Sequence, residues 1–301
     1  MPMLPPSLPP SVLTAIPAAY VENAAQKESF LKALEQWRKT RDANLRRENG
    51  WLTLVGLDWL SEGENTFGSD PANVVPLPKG KAPAKAGLFV LDHGAVKVKV
   101  ASGGGVILNG KPVSEQVLKS DAEGDPDILI LGDLSFYVIK RGDRFGIRVK
   151  DSQSPVRLNF KGIASYPADP AYQVVADFIP YVTPKDVRIP TVLGTDDIMQ
   201  APGYVRFKLL GKALTLEPVI EDPKAPELFF IFRDKTTGKT TYPAGRFLYA
   251  AMPKDGKVVL DFNRSYNPPC AFTPFATCPL PPPQNRLPIA VKAGEKTYGN
   301  H

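Results

Sequence analysis

The stretch Leu134-Ser135-Phe136-Tyr137-Val138-Ile139-Lys140, followed by Phe145-Gly146-Ile147-Arg148-Val149-Lys150, decides the fold. Each half is a short apolar run rich in β-branched and aromatic residues, which is typical of a β-strand. Gly142-Asp143 lies between the two runs and has the turn chemistry of a hairpin. The sequence therefore predicts two antiparallel strands joined by a tight turn.

The same pattern continues in both directions along the chain. Further strands are predicted at residues 51–56, 66–68, 88–91, 95–100, 106–108, 113–118 and 127–131. A second series is predicted at residues 172–178, 187–193, 205–210, 213–220, 228–233, 240–250 and 257–262. Short strands at intervals of about 8–12 residues favour a sandwich in the first series. Consecutive hairpins in the second series favour an antiparallel meander or a partly closed β-barrel.

One long helix precedes the strands. Phe30, Leu34, Trp37, Arg41 and Leu45 recur at spacings of three and four, which indicates an amphipathic helix over about residues 20–48. The preceding residues 1–19 hold six prolines and little charge, and we expect a lead-in without a core of its own. The prediction is a mainly β protein with three parts: the lead-in 1–19, a helix with a β-sandwich-like unit at 20–151, and a β-meander or barrel at 152–301.

Composition excludes several classes of protein. The 32 prolines in 301 residues are about twice the usual share of roughly 5%, so long helices are disfavoured. The net charge of +6 is spread along the chain, and we expect no nucleic-acid binding. No apolar run approaches the roughly 20 residues of a membrane helix, so no membrane span is expected.

Metal and cofactor signatures are equally scarce. His93 and His301 are the two histidines, and His93 lies in a predicted hairpin turn, Asp92-His93-Gly94. Cys270 and Cys278 do not form the paired motifs of a zinc site, and no glycine-rich phosphate loop occurs, so we expect no metal and no cofactor.

The first residues lack the features of a signal peptide, which favours a cytoplasmic protein, or an exported one if a signal peptide has been removed from the chain.

The last third of the chain carries a family resemblance. The segments that carry it are residues 241–249, 260–263, 266–273, 276–281, 285–288 and 293–295, together with Trp37-x3-Arg41 and the stretch 50–60. In these segments the chain resembles the DUF1684 family of uncharacterised bacterial and archaeal proteins over residues 30–295. The resemblance implies a shared fold and names no activity.

A second resemblance concerns residues 60–150. Glu62-Gly63-Glu64-Asn65-x-Phe67-Gly68 and the later stretch 106–113 are similar to the forkhead-associated β-sandwich. That family reads phosphothreonine with an Arg after the early Gly and a Ser-x-x-His loop. Here Ser69 follows Gly68 and the Ser-x-x-His loop is missing, so the resemblance implies the sandwich rather than phosphopeptide binding.

The irregular segment 242–295 concentrates polar and aromatic residues between prolines, and long irregular segments in compact domains are usually functional or disordered. Arg side chains suit carboxylate or phosphate, and the acids, amides and phenols can orient a polar ligand. The predicted ligand-binding residues are Tyr242, Arg246, Asp261, Asn263, Tyr266, Asn267, Arg286 and Glu295. The alternative is structural: the two arginines pair with Asp261 and Glu295 and hold the segment in place.

Cys270 and Cys278 form a second candidate site. Seven residues separate them, so a disulfide is feasible if the segment folds back on itself. A structural pair, a redox-active pair and a catalytic nucleophile remain open, and the last needs a thiol pKa lowered by its neighbours.

Two functions follow from these patterns. The first is binding of a small polar or anionic molecule in the C-terminal β-domain, with hydrolase-like activity as an extension of it. The second is a non-enzymatic interaction with a protein partner through the N-terminal sandwich. The sequence does not decide whether the protein is an enzyme.

Overall fold

The computed structural model describes residues 24–299, so the predicted lead-in at 1–19 lies outside the described residues. The chain divides into two compact units. Of the described residues, 44–160 form the N-terminal unit, and 24–43 with 161–299 form the C-terminal unit. None of the helices within residues 24–299 is both long and apolar enough to cross a membrane.

The N-terminal unit contains two sheets. Its strands are β1 (Leu54–Trp59), β2 (Gly63–Gly68), β3 (Val75–Pro76), β4 (Gly87–Asp92), β5 (Ala95–Val100), β6 (Ile107–Leu108), β7 (Lys111–Pro112), β8 (Glu115–Leu118), β9 (Leu129–Leu131), β10 (Leu134–Arg141) and β11 (Arg144–Asp151). One sheet has the order β1-β11-β10-β9-β6-β7 and the other β3-β2-β4-β5-β8. A short helix, Pro155–Leu158, follows β11.

A shared aromatic core joins these two sheets into a sandwich. Phe67 of β2 and Phe89 of β4 have ring centroids 4.8 Å apart, and Phe136 of β10 lies 5.8 Å from Phe67. All three side chains are fully buried. Burial of such rings removes a large apolar area from water and supplies the main stabilisation of the sandwich.

The hairpin predicted from the deciding stretch is confirmed. Strands β10 and β11 pair antiparallel from Leu134 opposite Asp151 to Arg141 opposite Arg144, and the turn is Gly142-Asp143. Gly142 adopts a φ of 57°, which side chains other than glycine rarely accept.

The C-terminal unit contains the strands β12 (Gln173–Pro190), β13 (Asp196–Leu209), β14 (Lys212–Leu216), β15 (Leu228–Phe232), β16 (Arg246–Ala250) and β17 (Lys257–Asp261). They form an antiparallel sheet of order β14-β13-β12-β17 and a two-stranded sheet of β15 and β16. Among the described residues neither sheet closes on itself, so the meander is the observed form. The mainly β prediction with one long helix is confirmed.

Several predicted strand bounds differ from the observed ones, and two of the differences have a clear cause. The strands predicted at 172–178 and 187–193 fall largely within one long strand, β12, because its pairing with β13 tolerates an irregularity between Pro180 and Lys185. The predicted strand 240–250 begins only at Arg246, because Gly245 before it has a φ of 99°. A Cβ at Gly245 would lie 2.7 Å from the carbonyl oxygen of Phe232, so glycine is required there.

The long helix, α1 (Ala24–Leu45), lies inside the predicted range of 20–48. The prediction places this helix with the N-terminal strands, whereas its residues 24–43 belong to the C-terminal unit. The reason is a set of polar contacts to the C-terminal residues, in which Arg38 donates to the carbonyl of Tyr166 and Arg41 contacts Glu295. Such long-range partners leave no periodic signal in the sequence.

We expect Leu34→Ala to lower the free energy of unfolding by about 2–5 kcal/mol, because Leu34 is 1% exposed and its truncation leaves a cavity. Leu31→Ala is the matched control, since Leu31 lies one turn earlier on α1 and is 37% exposed, and its change stays below about 1 kcal/mol. Urea titration followed by circular dichroism measures both values. Equal losses in the two variants would contradict the burial of one helix face.

Candidate functional site

Glu295 connects helix α1 to the irregular C-terminal segment. Its carboxylate accepts from Arg41 Nε at 2.9 Å and from the backbone N–H of Asn267 at 2.7 Å. Arg41 Nη2 also donates to the carbonyl of Asn267 at 2.9 Å, and the Asn267 side chain donates to the carbonyl of Lys296 at 2.7 Å. Two predicted site residues, Asn267 and Glu295, therefore belong to one largely buried network around an arginine that the prediction did not include.

Tyr266 lies next to this network in a group of aromatic rings. Arg41 Cζ is 4.5 Å from the centroid of the Tyr266 ring. Tyr249 stacks near-parallel to Tyr266 at 6.3 Å, and Phe247 meets it edge-on at 5.8 Å. Trp37 of α1 lies 6.5 Å from the same ring. Burial raises the pKa of the Tyr266 hydroxyl, and the Arg41 charge opposes part of that rise, so the phenol is neutral at physiological pH.

Glu221 extends the group beyond the two tyrosines. The Tyr249 hydroxyl donates to Glu221 Oε2, and the Tyr249 ring stacks on that of Tyr266. Burial raises the pKa of the Glu221 carboxyl to about 7; the bond from Tyr249 opposes the rise, and the charge of Asp222 adds to it. A carboxyl that titrates near neutral pH can both give and accept a proton.

The arrangement formed by Trp37, Arg41, Glu221, Tyr249 and Tyr266 is named here the Tyr266 site. Its members come from α1, from the segment after β14, from β16 and from the C-terminal segment. All five side chains are half-buried. The site therefore combines aromatic faces with phenol and carboxyl groups.

Arg246 is not part of the Tyr266 site. Its guanidinium is 1% exposed and donates to Asp234 Oδ2 at 2.6 Å, to the carbonyl of Val291 at 2.9 Å and to the carbonyl of Ala293. A buried arginine with an acid and two carbonyls holds the backbone around it. Burial lowers the pKa of Arg246, and the charge of Asp234 opposes that change.

Asp261 and Asn263 form a separate buried pair at the end of β17. Asn263 donates from its amide to Asp261 Oδ1 at 2.9 Å and to the carbonyl of Asp169 at 2.9 Å. Arg264 Nε lies 3.3 Å from Asp261 Oδ2. Burial raises the pKa of Asp261, and Asn263, Arg264 and Arg38 each oppose the rise. The pair joins the segment around Asp169 to the end of β17.

The two arginines predicted to pair with Asp261 and Glu295 do not do so. Arg246 pairs with Asp234, and Glu295 pairs with Arg41. The structural alternative therefore named the wrong partners for Arg246 and Glu295. Both observed partners lie outside the residues 242–295 from which the prediction was made.

Arg286 lies apart from the other predicted residues. Its side chain is exposed, and its main chain forms a bridge with Arg233. The structure therefore does not bring Arg286 together with Arg246, Asp261 or Glu295.

Tyr242 lies beside the two cysteines. Its hydroxyl donates to the carbonyl of Cys270 at 2.8 Å, and the backbone N–H of Cys270 donates to Cys278 Sγ at 3.1 Å. Neither Cys270 nor Cys278 forms a disulfide in this structure. The hydrogen bond with the Cys278 thiol lowers the pKa of Cys270, burial opposes this, and Tyr242 adds to the lowering. The structure thus places the predicted pair side by side.

Four members of the Tyr266 site were missed as site residues by sequence reasoning. Trp37, Arg41 and Tyr249 lie in the segments that carry the family resemblance, and this resemblance was the one sequence feature that could have identified them. Glu221 follows β14 in an acidic stretch, Glu221-Asp222, and nothing in the local sequence distinguishes it from a solvated acid.

A group able to hold a metal ion occurs among residues 24–299, in the N-terminal unit. The ligand atoms of Glu62, Asp92 and His93 all lie within 4.8 Å of one another, and all three side chains are exposed. His93 has a φ of 48° in the turn between β4 and β5, as the turn prediction required. Exposed acidic groups of this kind are common without an ion, so the group is not a candidate centre.

We expect Arg246→Met to lower the free energy of unfolding by about 3–5 kcal/mol, because it leaves the Asp234 carboxylate buried without its cation. Arg286→Met is the control, because the exposed Arg286 side chain should contribute less than about 0.5 kcal/mol. Denaturant unfolding of both variants checks the difference. A stable Arg246→Met protein would show that the buried pair does not hold the segment.

A family model matches the C-terminal part of the chain. The family model described as a protein of unknown function, DUF1684, matches residues 158–296, a narrower range than the resemblance over 30–295. Comparison with curated proteins gives no match. The solution NMR structure of an uncharacterized protein of Haloarcula marismortui is 33% identical to the chain, over 48% of this chain and 81% of that one, with a TM-score of 0.40.

Forkhead-associated domains are also among the similar solved structures. The FhaA FHA domain, complexed with the intracellular domain of Rv3910, is 21% identical over 31% of this chain and 97% of that one, with a TM-score of 0.23. An FHA domain from an analysis of phosphothreonine-dependent interactions is 22% identical over 33% and 96%, also with a TM-score of 0.23. With its C-terminal residues 158–296, which hold most of the Tyr266 site, the chain belongs to the DUF1684 family.

Proposed function

We propose that the C-terminal unit binds a small polar molecule at the Tyr266 site and that Glu221 exchanges a proton with it. The observation that carries this proposal is the contact between Glu221 and Tyr249, where burial raises the pKa of a carboxyl to about 7. Strongly shifted carboxyls beside phenols concentrate at functional sites.

The hydrogen bond from Tyr249 gives this carboxyl a defined orientation. The Tyr249 hydroxyl donates to Glu221 Oε2 and the Tyr249 ring is stacked on Tyr266, so one oxygen of Glu221 is held while the carboxyl keeps its capacity to take up or release a proton. A positioned acid of this pKa can protonate a leaving group or deprotonate water, which is the chemistry of hydrolysis.

The charges around the site favour a neutral ligand over an anion. Arg41 is the cation of the site, and Glu295 balances its charge through a contact of 2.9 Å. The stacked rings of Tyr249 and Tyr266 offer apolar faces, and their hydroxyls lie beside a carboxyl. Molecules with an apolar face and hydroxyl or carbonyl groups, such as sugars and acyl esters, match this combination.

Protein interaction through the N-terminal sandwich stays a prediction. The residue at the position where the forkhead-associated pattern has Arg is Ser69, whose hydroxyl donates to the carbonyl of Ala82 at 2.7 Å. That hydroxyl is engaged within the unit, so phosphopeptide recognition at this position is not part of the proposal.

A ligand screen tests the proposal directly. We expect a member of a panel of sugars and p-nitrophenyl acyl esters to raise the Tm of the full chain, since a ligand at a hundredfold excess over its Kd stabilises a protein by about 2.7 kcal/mol. Glu221→Gln and Tyr249→Phe should abolish the shift. Tyr204→Phe is the matched control, because the Tyr204 ring lies beside that of Tyr181, 6.0 Å away, and is not a member of the Tyr266 site.

Hydrolysis of the p-nitrophenyl esters provides a second measurement on the same panel. If a p-nitrophenyl ester is hydrolysed, we expect kcat/KM to follow an apparent pKa near 7 and to fall by about 10²–10⁴ in Glu221→Gln. A panel without any shift, or a shift that survives both substitutions, would leave the proposed site without support.

The titration of Glu221 also makes stability depend on pH. The folded pKa of about 7 exceeds the ordinary 4.5, so the folded protein binds more protons between these values and its stability falls as the pH rises from about 4.5 to 7. We expect a loss of up to about 3 kcal/mol from this group, absent in Glu221→Gln. Urea unfolding at pH 5 and pH 8 measures it, with the exposed Glu28→Gln as control. Parallel pH profiles for wild type and Glu221→Gln would contradict the raised pKa.

A further inference from the structure

Cys270 and Cys278 lie in the C-terminal segment and are not members of the Tyr266 site. Cys270 belongs to a 3-10 helix, Pro269–Ala271, and Cys278 lies eight positions later. The backbone N–H of Cys270 donates to Cys278 Sγ at 3.1 Å, so the sulfur of one cysteine lies against the residue that carries the other. A disulfide requires the two cysteines to lie close together, and this contact makes them direct neighbours.

The two thiols differ in how they are held. The carbonyl of Cys278 accepts from the Val192 N–H at 3.0 Å, and the next residue but one, Leu280, donates to the carbonyl of Pro190 at 2.6 Å. These bonds anchor the Cys278 backbone to the end of the β12–β13 hairpin. Cys278 is 4% exposed, whereas Cys270 is half-buried and is therefore the more accessible of the two residues.

The surroundings of Cys270 favour a thiolate. The Cys278 thiol and the Tyr242 hydroxyl both hydrogen-bond at Cys270, and together they lower the pKa of its thiol although burial opposes them. The thiolate is the form of cysteine that attacks electrophiles. Cys270 is the less buried residue and its thiol has the lowered pKa, so it is the attacking thiol. Cys278 is buried and its backbone is anchored, so it is the resolving thiol.

We propose that Cys270 and Cys278 form a hydroperoxide-reactive dithiol that closes to an intramolecular disulfide. In the first step the Cys270 sulfur attacks the terminal oxygen of the hydroperoxide, the O–O bond breaks, and the products are a Cys270 sulfenic acid and an alcohol, or water from hydrogen peroxide. In the second step the Cys278 sulfur attacks the sulfenic sulfur, and the hydroxyl group leaves as water with the Cys278 proton. The two sulfurs are oxidised and the peroxide is reduced, and a dithiol reductant restores the pair by exchange.

Hydrogen peroxide and the reduced full-length protein test this proposal without reference to the Tyr266 site. One equivalent of peroxide should remove both free thiols, and the intact mass should fall by two hydrogen atoms with the chain still monomeric. Cys278→Ser should accumulate a sulfenic acid on Cys270 that dimedone captures. Cys270→Ser should lose its remaining thiol at least about tenfold more slowly.

Tyr242→Phe should slow the oxidation of Cys270 by about two- to tenfold, because it removes a hydroxyl that lies against Cys270 and lowers the pKa of its thiol. Tyr204→Phe serves as the control and should leave the rate unchanged.

A labelling experiment on the wild-type protein does not depend on whether a variant folds. Iodoacetamide in limiting amount should label Cys270 before Cys278. Thiols that survive excess peroxide, a disulfide between chains, or equal labelling of both cysteines would overturn the proposal.

Discussion

The buried ion pair between Arg41 and Glu295 connects the two ends of the C-terminal unit. Residues 254 positions apart meet at 2.9 Å, and the same arginine reaches the carbonyl of Asn267. Loss of one member of such a pair leaves a charge buried without compensation, which makes the contact far more costly to break than a surface pair. It also places the guanidinium against the Tyr266 ring, so the geometry of the Tyr266 site depends on this contact.

The irregular C-terminal segment needs polar side chains as hydrogen-bond partners for its own buried backbone. Away from strands and helices, buried carbonyl and N–H groups lack the regular partners of a sheet or helix and must be paired in another way. Arg246 supplies donors to the carbonyls of Val291 and Ala293, and Asn285 supplies them to the carbonyls of Glu217 and Ile231. The polar residues that made the segment look like a ligand site in the sequence therefore serve in large part as backbone partners.

Local patterns account for the parts of the structure that were predictable. Alternation and turn chemistry located the β10–β11 hairpin and the β4–β5 turn at His93, because both features are set by residues within a few positions of each other. The unit to which α1 belongs was not predictable, since it depends on the distant Glu295. The same limit applies to Glu221, because burial raises its pKa while a hydroxyl on β16 opposes the rise, and neither effect is visible in Glu221-Asp222.

The hydrogen bonds that each polar residue already makes limit which of them can contact a ligand or react. A guanidinium or amide that already satisfies buried carbonyls would lose those bonds on turning to a ligand, and each group left unsatisfied costs about 1–3 kcal/mol. Arg246 and Asn263 are of this kind, because both hold buried backbone or acid groups on two sides. Glu221 and Cys270 are different, because each is half-buried and each can change its protonation state without releasing the backbone. The two groups proposed to react therefore lie at the edges of the polar network, and its buried centre holds the segment in place.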